Sequence, residues 1–254
     1  MAIEQLFNTK AFVKKPARGF YAGFICATIG ILLSYRIFPA AASYVAIALT
    51  IVPLIPLFLS LINQEEHLAE YHMHKHIWSH PFLKIYICTF IGLVAAFLLW
   101  YLILPTHMQS MIYGPQEAII AATGGTLQIT ATELFTLLFS HNFELLLIIT
   151  VMSFLFGAGA IFILTWNASV LAVFLANSAF TNNVNIINIW FHGIPEFLAY
   201  MIAALAGGVF GVVLVKKDFR SKLFKKAAIE SLKLFVLSVL LLALATILEV
   251  RVLL

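Results

Sequence analysis

Apolar residues fall along this chain in blocks of about twenty, the length at which a helix crosses a bilayer, and polar residues gather between the blocks. The blocks are 20–38, 40–62, 82–104, 143–164, 168–180, 195–215 and 229–250. They predict an all-α, polytopic transmembrane helical bundle: one integral membrane domain with about seven spans, one of them short or broken, plus amphipathic interfacial helices. The short one is 168–180, set off from its predecessor by a break at Trp166-Asn167. Pro39 ends the first span, and Pro53 with Pro56 should kink the second or unwind a turn of it, either as a packing bend or as a hinge.

The connections carry their own signals. Residues 1–18 mix apolar and basic side chains and predict a short surface helix before Pro16, lying on anionic lipid. Trp100 and Tyr101 form an interfacial aromatic pair before Pro105. Residues 105–141 read as a long loop, with Gly114-Pro115 and Gly124-Gly125 as turn signals. Inside it, 130–140 reads as a short amphipathic helix that lies on or dips into the surface, with Thr130 and Glu133 as a capping pair.

Composition excludes a soluble domain: 63% of residues are hydrophobic, only 10% are charged, and the mean hydropathy is +1.03. The net charge of +4 would suggest nucleic acid in a soluble protein. Here Lys10, Lys14, Lys15, Arg18 and the basic run 216–226 flank apolar spans, as cytoplasmic anchors do. Seven crossings place both basic clusters inside, with a cytoplasmic N-terminus in the cell membrane; six would put the second outside. From Ile85 to Val215 there is no Lys, Arg or Asp. Cys26 and Cys88 imply neither a disulfide framework nor a zinc site, and the first span reads as retained rather than as a cleaved leader.

Candidate chemistry centres on His192-Gly-Ile-Pro-Glu196, just before a charge-free run to Val215. Pro195 fits a first helical turn, and His192 and Glu196, spaced i, i+4, share a face once the helix includes both. A carboxylate at the mouth of a membrane helix needs partners. Asn142 and Glu144 at the outer end of the fourth span supply a polar set at matching depth, with Asn167 at the inner break. Two readings stand: a hydrogen-bonded brace between spans, or a mouth open to protons or cations. Gly157, Gly159, Gly193, Gly207 and Gly208 are candidate helix-packing positions, in keeping with close helix contact in membranes.

Residues 63–81 hold five of the eight histidines. On a helix His72, His76 and His80 share one face and are weak metal candidates, but the spacing matches no closed four-ligand motif. There is no His-Glu-x-x-His pair, nucleophile elbow, phosphate loop or transmembrane Asp pair, so the chain reads as neither an enzyme nor an ATPase, and no cofactor is implied.

These residues carry a resemblance. Asn142 in LFSHNFE, Gly157 and Gly159, Asn167 in LTWNAS, and His192-Gly-Ile-Pro-Glu196 with its Ala/Gly-rich helix resemble the stage II sporulation protein M family over roughly 133–215. Residues before about 130 match only in hydropathy, and Asn167-Ala168 stands where the family often has Asn-Gly. In sporulating bacteria the member resembled is a membrane scaffold that recruits peptidoglycan-remodelling enzymes, while most relatives live in organisms that make no spores. The resemblance implies an integral membrane protein without catalysis, an anchor or a permease-like component. As a scaffold it would pair with a second copy or with a membrane or extracytoplasmic protein, docking through 105–141. The alternative is a transporter or channel component with an outward His/Glu/Asn mouth.

Overall fold

In the computed structural model, residues 9–71, 81–123, 130–156, 160–181, 186–216 and 222–253 are described, and they are helical nearly throughout. The order is α1 (Thr9–Lys14), α2 (Arg18–Ile37), a 3-10 turn (Pro39–Ala41), α3 (Ala42–Tyr71), α4 (Pro81–Ile103), α5 (Thr106–Thr123), α6 (Ala131–Phe156), α7 (Ala160–Thr181), α8 (Ile186–Lys216) and α9 (Lys222–Leu253). Among the described residues, six stretches are long and apolar enough to cross a bilayer: Arg18–Ile37, Pro39–Leu61, Leu83–Ile103, Ala131–Leu155, Gly193–Gly211 and Phe224–Arg251. The fifth predicted span, 168–180, falls in α7, a helix of 22 residues.

Several local expectations change. Residues 106–123 are not loop but helix α5, which runs through Gly114-Pro115. Proline inside a helix costs about 3 kcal/mol, and α5 carries that cost because side chains before and after the pair are tied down, as described below. The amphipathic stretch 130–140 is not a separate helix but the first turns of α6. Its capping box forms: the Glu133 N–H donates to Thr130 Oγ1 at 3.3 Å and the Thr130 N–H to Glu133 Oε2 at 2.8 Å. There is no break at Trp166-Asn167, since α7 passes through both residues and α6 has already closed at Phe156. Pro195 lies in the interior of α8 rather than in its first turn. Likewise α3 passes Pro53 and Pro56 without an unwound turn. The short helix before Pro16 is present as α1.

The chain divides into two compact units. The first comprises Met1–Leu61, Ile77–Thr126 and Ile161–Val184; the second comprises Ile62–His76, Leu127–Ala160 and Asn185–Leu254.

In the first unit, α2 and α4 run parallel at backbone contact. A Cβ on Gly92 would strike the Phe20 backbone, and one on Gly23 would strike the Thr89 carbonyl. Gly30 does the same for α3, against the Ala46 carbonyl. Thr50 and Thr89 turn their hydroxyls back onto their own helices, donating to the Ala46 and Ile85 carbonyls at 2.7 and 2.8 Å. That satisfies them where no water reaches. Phe58 of α3 packs edge-on against Tyr86 of α4, with ring centroids 4.6 Å apart.

In the second unit α8 is the central helix, packed against both α6 and α9. Its residues 199–208 are all buried. Cβ atoms on Gly207 and Gly211 would strike the Thr150 and Phe154 carbonyls of α6. Small residues allow this approach, and dispersion between backbones replaces the hydrophobic drive that lipid cannot supply. On the opposite side the Ser231 hydroxyl of α9 donates to the Ala206 carbonyl at 2.8 Å.

Candidate functional site

Glu196 stands in α8 two turns above the buried small-residue run, on the stripe that continues through Tyr200, Ala204, Gly207 and Gly211 at helical spacing. The Tyr200 hydroxyl donates to Glu196 Oε1 at 2.9 Å. Tyr200 is buried at 3% exposure, so the pair forms a charge-assisted bond largely out of solvent. The site in this unit is therefore a carboxylate and a buried tyrosine one turn apart on α8, hydrogen-bonded to each other.

The other residues singled out from sequence fall as follows. His192 lies in α8 four residues before Glu196, so the two backbones share a face; its side chain is outside the described set. On α6, Asn142 is buried and Glu144 exposed. Asn167 belongs to the first unit, and its Nδ2 is buried with no hydrogen-bond partner. Its neighbour Trp166 stacks on Tyr44, with centroids 5.8 Å apart, near the start of α3. That places Asn167 toward the end of the unit where α2 stops. Gly207 and Gly208 are buried, whereas a Cβ on Gly193 would meet nothing within 4 Å. Gly157, Gly159, His72, His76 and His80 lie outside the described residues. Among those that are described, no group of three metal-ligating side chains comes together.

The first unit holds a polar network that centres on α5. Gln116, only 1% exposed, accepts from Ser43 of α3 at 3.2 Å and donates to Ser169 of α7 at 3.0 Å. Ser169 passes its own proton to the Trp166 carbonyl at 2.7 Å. The Tyr101 hydroxyl of α4 donates to Glu117 at 2.9 Å and lies 3.2 Å from the side-chain amide of Asn177. Tyr113 donates to the Phe97 carbonyl at 2.9 Å, and burial pushes its phenol well above the ordinary range, so it remains a donor. Gln109 caps the end of α4 through the Tyr101 and Leu104 carbonyls at 2.7 and 3.0 Å. Together these bonds latch α5 to α3, α4 and α7.

One signal was missed from sequence. Gln109, Tyr113, Gln116 and Glu117 recur at helical spacing, but the Gly-Pro pair between them reads as a turn.

A chain whose described residues are helical, six of the helices apolar and of spanning length and close-packed through glycines, is a multi-pass membrane protein. Within that class the family is specific: the family model for stage II sporulation protein M (SpoIIM) matches residues 85–252, and the chain belongs to this family. No curated protein and no solved structure matches the chain. The match opens in α4 and closes in α9, wider than the 133–215 in which the resemblance is visible by eye. The α5 latch, Ser43 apart, and the Glu196–Tyr200 pair thus lie inside it.

Proposed function

We propose that this chain is a non-catalytic scaffold of the cell membrane, N-terminus cytoplasmic, that holds a membrane or extracytoplasmic partner at the N-terminal end of α6. One observation carries the reading. From Ala131 to His141 no residue of α6 is buried, although the helix is capped and continuous with a packed span. Three turns of preformed helix thus stand clear of their own unit, with Leu137 54% exposed and Phe135, Phe139 and Phe143 stacked in sequence at 5.6 and 5.7 Å. A rigid apolar helix already folded before binding saves its partner the ordering entropy. Family membership is in keeping with such a role.

The test is site-specific photo-crosslinking in native membranes. A benzophenone side chain at Leu137 should give a discrete protein adduct, while one at Leu240, 63% exposed on α9, should give only lipid. Adducts absent at Leu137, or equal at both positions, would remove the scaffold reading. A second reading, a transporter or channel component, draws support from the Glu196 carboxylate bonded to buried Tyr200, because ionisable groups inside membrane spans often mark ion paths. It predicts pH- or cation-dependent flux in proteoliposomes that Glu196→Gln abolishes, whereas the scaffold predicts none above protein-free vesicles.

A further inference from the structure

The chain's net charge is not shared between its two units. By sequence the first holds six Lys or Arg against Glu4 and Glu117, and the second holds nine basic residues against nine acidic ones, so the whole +4 belongs to the first. Within that unit the charges are sorted by end. Arg36 stands in the last turn of α2, and Glu117 is bonded to Tyr101 near the end of α4. Lys10, Lys14, Lys15, Arg18 and Lys84 lie instead in α1, in the elbow after it and in the first turns of α2 and α4. Glu4 is outside the described residues.

Backbone contacts bring these cations to one level. A Cβ on Gly19 would lie 2.7 Å from the Ile85 carbonyl oxygen, and Arg18 and Lys84 each precede one member of that touching pair. The segment before them is held in place. Helix α1 packs against α4 with Phe12 buried. The elbow into α2 is closed by the Lys15, Arg18, Gly19 and Phe20 N–H groups, which donate to the Ala11, Lys15, Pro16 and Ala17 carbonyls at 2.8–3.1 Å. Lys14, Lys15, Arg18 and Lys84 are exposed, and none forms an ion pair with a described residue.

The surface beside the cations indicates what covers them. Arg18 heads an exposed stripe of α2 that runs on through Tyr21, Ile25, Ile29 and Leu32, and Lys84 heads another on α4 through Ile91 and Leu102. On spanning helices such stripes face acyl chains, so the cations at their ends stand at headgroup depth. A soluble acidic protein would meet the charges and leave the stripes untouched. An anionic phospholipid engages both, its phosphate on the cations and its chains along the stripes. Because α1 is fixed against α4, the cations are in place before the lipid arrives, which spares the ordering cost a loose basic tail would carry.

We propose that the α1–α2 elbow, with Lys84 of α4, is a preformed site for the headgroup of an anionic phospholipid. The proposal is independent of the scaffold reading. The test is native mass spectrometry of the full chain in detergent, with phosphatidylglycerol or phosphatidylcholine added in equal amounts. Phosphatidylglycerol should be retained about tenfold more strongly or more, as a few cations at an anionic lipid surface supply. Arg18→Gln with Lys84→Gln should bring that ratio to near one. Lys225→Gln with Lys226→Gln removes the same charge from exposed positions of α9 and should leave the ratio as it was. Phe12→Ser keeps every cation but frees α1, and should lower the ratio about threefold or more through lost preorganisation. If Phe12→Ser does not fold, a Gly-Ser-Gly insertion after Lys15 parts α1 from Arg18 at the same charge, with the same expected loss. Equal retention of the two lipids, an equal loss in the α9 control, or undiminished selectivity once α1 is freed would each overturn the proposal, the last by leaving only diffuse charge. Displacement of phosphatidylglycerol by a soluble Glu-rich peptide would overturn it too and assign the face to an acidic protein.

Discussion

A methyl group added to Gly207 or to Gly193 should move stability in different directions, although both glycines lie in the same helix fourteen residues apart. At Gly207 the new Cβ lands on the Thr150 carbonyl, with Ser153 Cβ 3.0 Å away. Both neighbours belong to a packed helix, so neither yields without α6 moving, and overpacking of this kind costs about 1–3 kcal/mol. At Gly193 the Cβ meets nothing within 4 Å, so no packing term opposes the change. Ala is favoured over Gly in a helix by about 1 kcal/mol in water. In a bilayer the unfolded reference keeps its spanning helices, so this gain shrinks toward zero at both sites and the packing cost at Gly207 stands nearly alone. Gly207→Ala should therefore lower the unfolding temperature in detergent by about 2–12 °C, scaling about 2–4 °C per kcal/mol for a chain of this size, while Gly193→Ala leaves it unchanged or slightly raised. Fluorescence-detected size-exclusion after a heat step reads both on the same day with the same construction. A Gly207→Ala protein as stable as Gly193→Ala would mean that α6 and α8 do not meet at backbone distance.

Other tests address the polar contacts. Gln116→Leu leaves Ser43 without its acceptor inside the first unit and should cost about 1–3 kcal/mol, with faster amide exchange across 106–123 as α5 loosens; unchanged exchange there would rule out the latch. Tyr200→Phe removes a charge-assisted bond to Glu196, worth about 1.5–3 kcal/mol, and a double-mutant cycle with Glu196→Gln should recover most of it as coupling; two independent effects would show that the carboxylate is held elsewhere. Thr130→Ala should speed amide exchange in the first turn of α6 without moving global stability, because those turns are not packed; a global loss would mean that they are.

What could be read in the sequence, and what could not, divides along the range of the forces involved. Spanning helices were legible because each is fixed by its own composition: twenty apolar residues have no other way to satisfy their backbone in lipid. The capping box at Thr130 and Glu133 was legible for the same reason, since both partners lie within one turn. Misreadings arose where a local signal met a distant partner. Gly114-Pro115 reads as a turn, yet Gln109 and Tyr113 before it and Gln116 and Glu117 after it are bonded to α3, α4 and α7, and those bonds outweigh the proline. Trp166-Asn167 reads as a break, yet Trp166 has a ring of α3 to lie on and its helix continues. Pro195 reads as a first turn because nothing within four residues reveals that the helix began at Ile186. The same logic explains the site. His192 and Glu196 share a face through local geometry alone, so their relation is written in the spacing, whereas Ser231 meets the Ala206 carbonyl only because α9 returns antiparallel to α8. It follows that residues carrying long-range polar contacts in this chain are hidden inside blocks that look uniformly apolar or merely interfacial. In a membrane protein with 10% charged residues, each Glu in or beside an apolar block therefore merits a partner search across helices before it is assigned to the lipid surface.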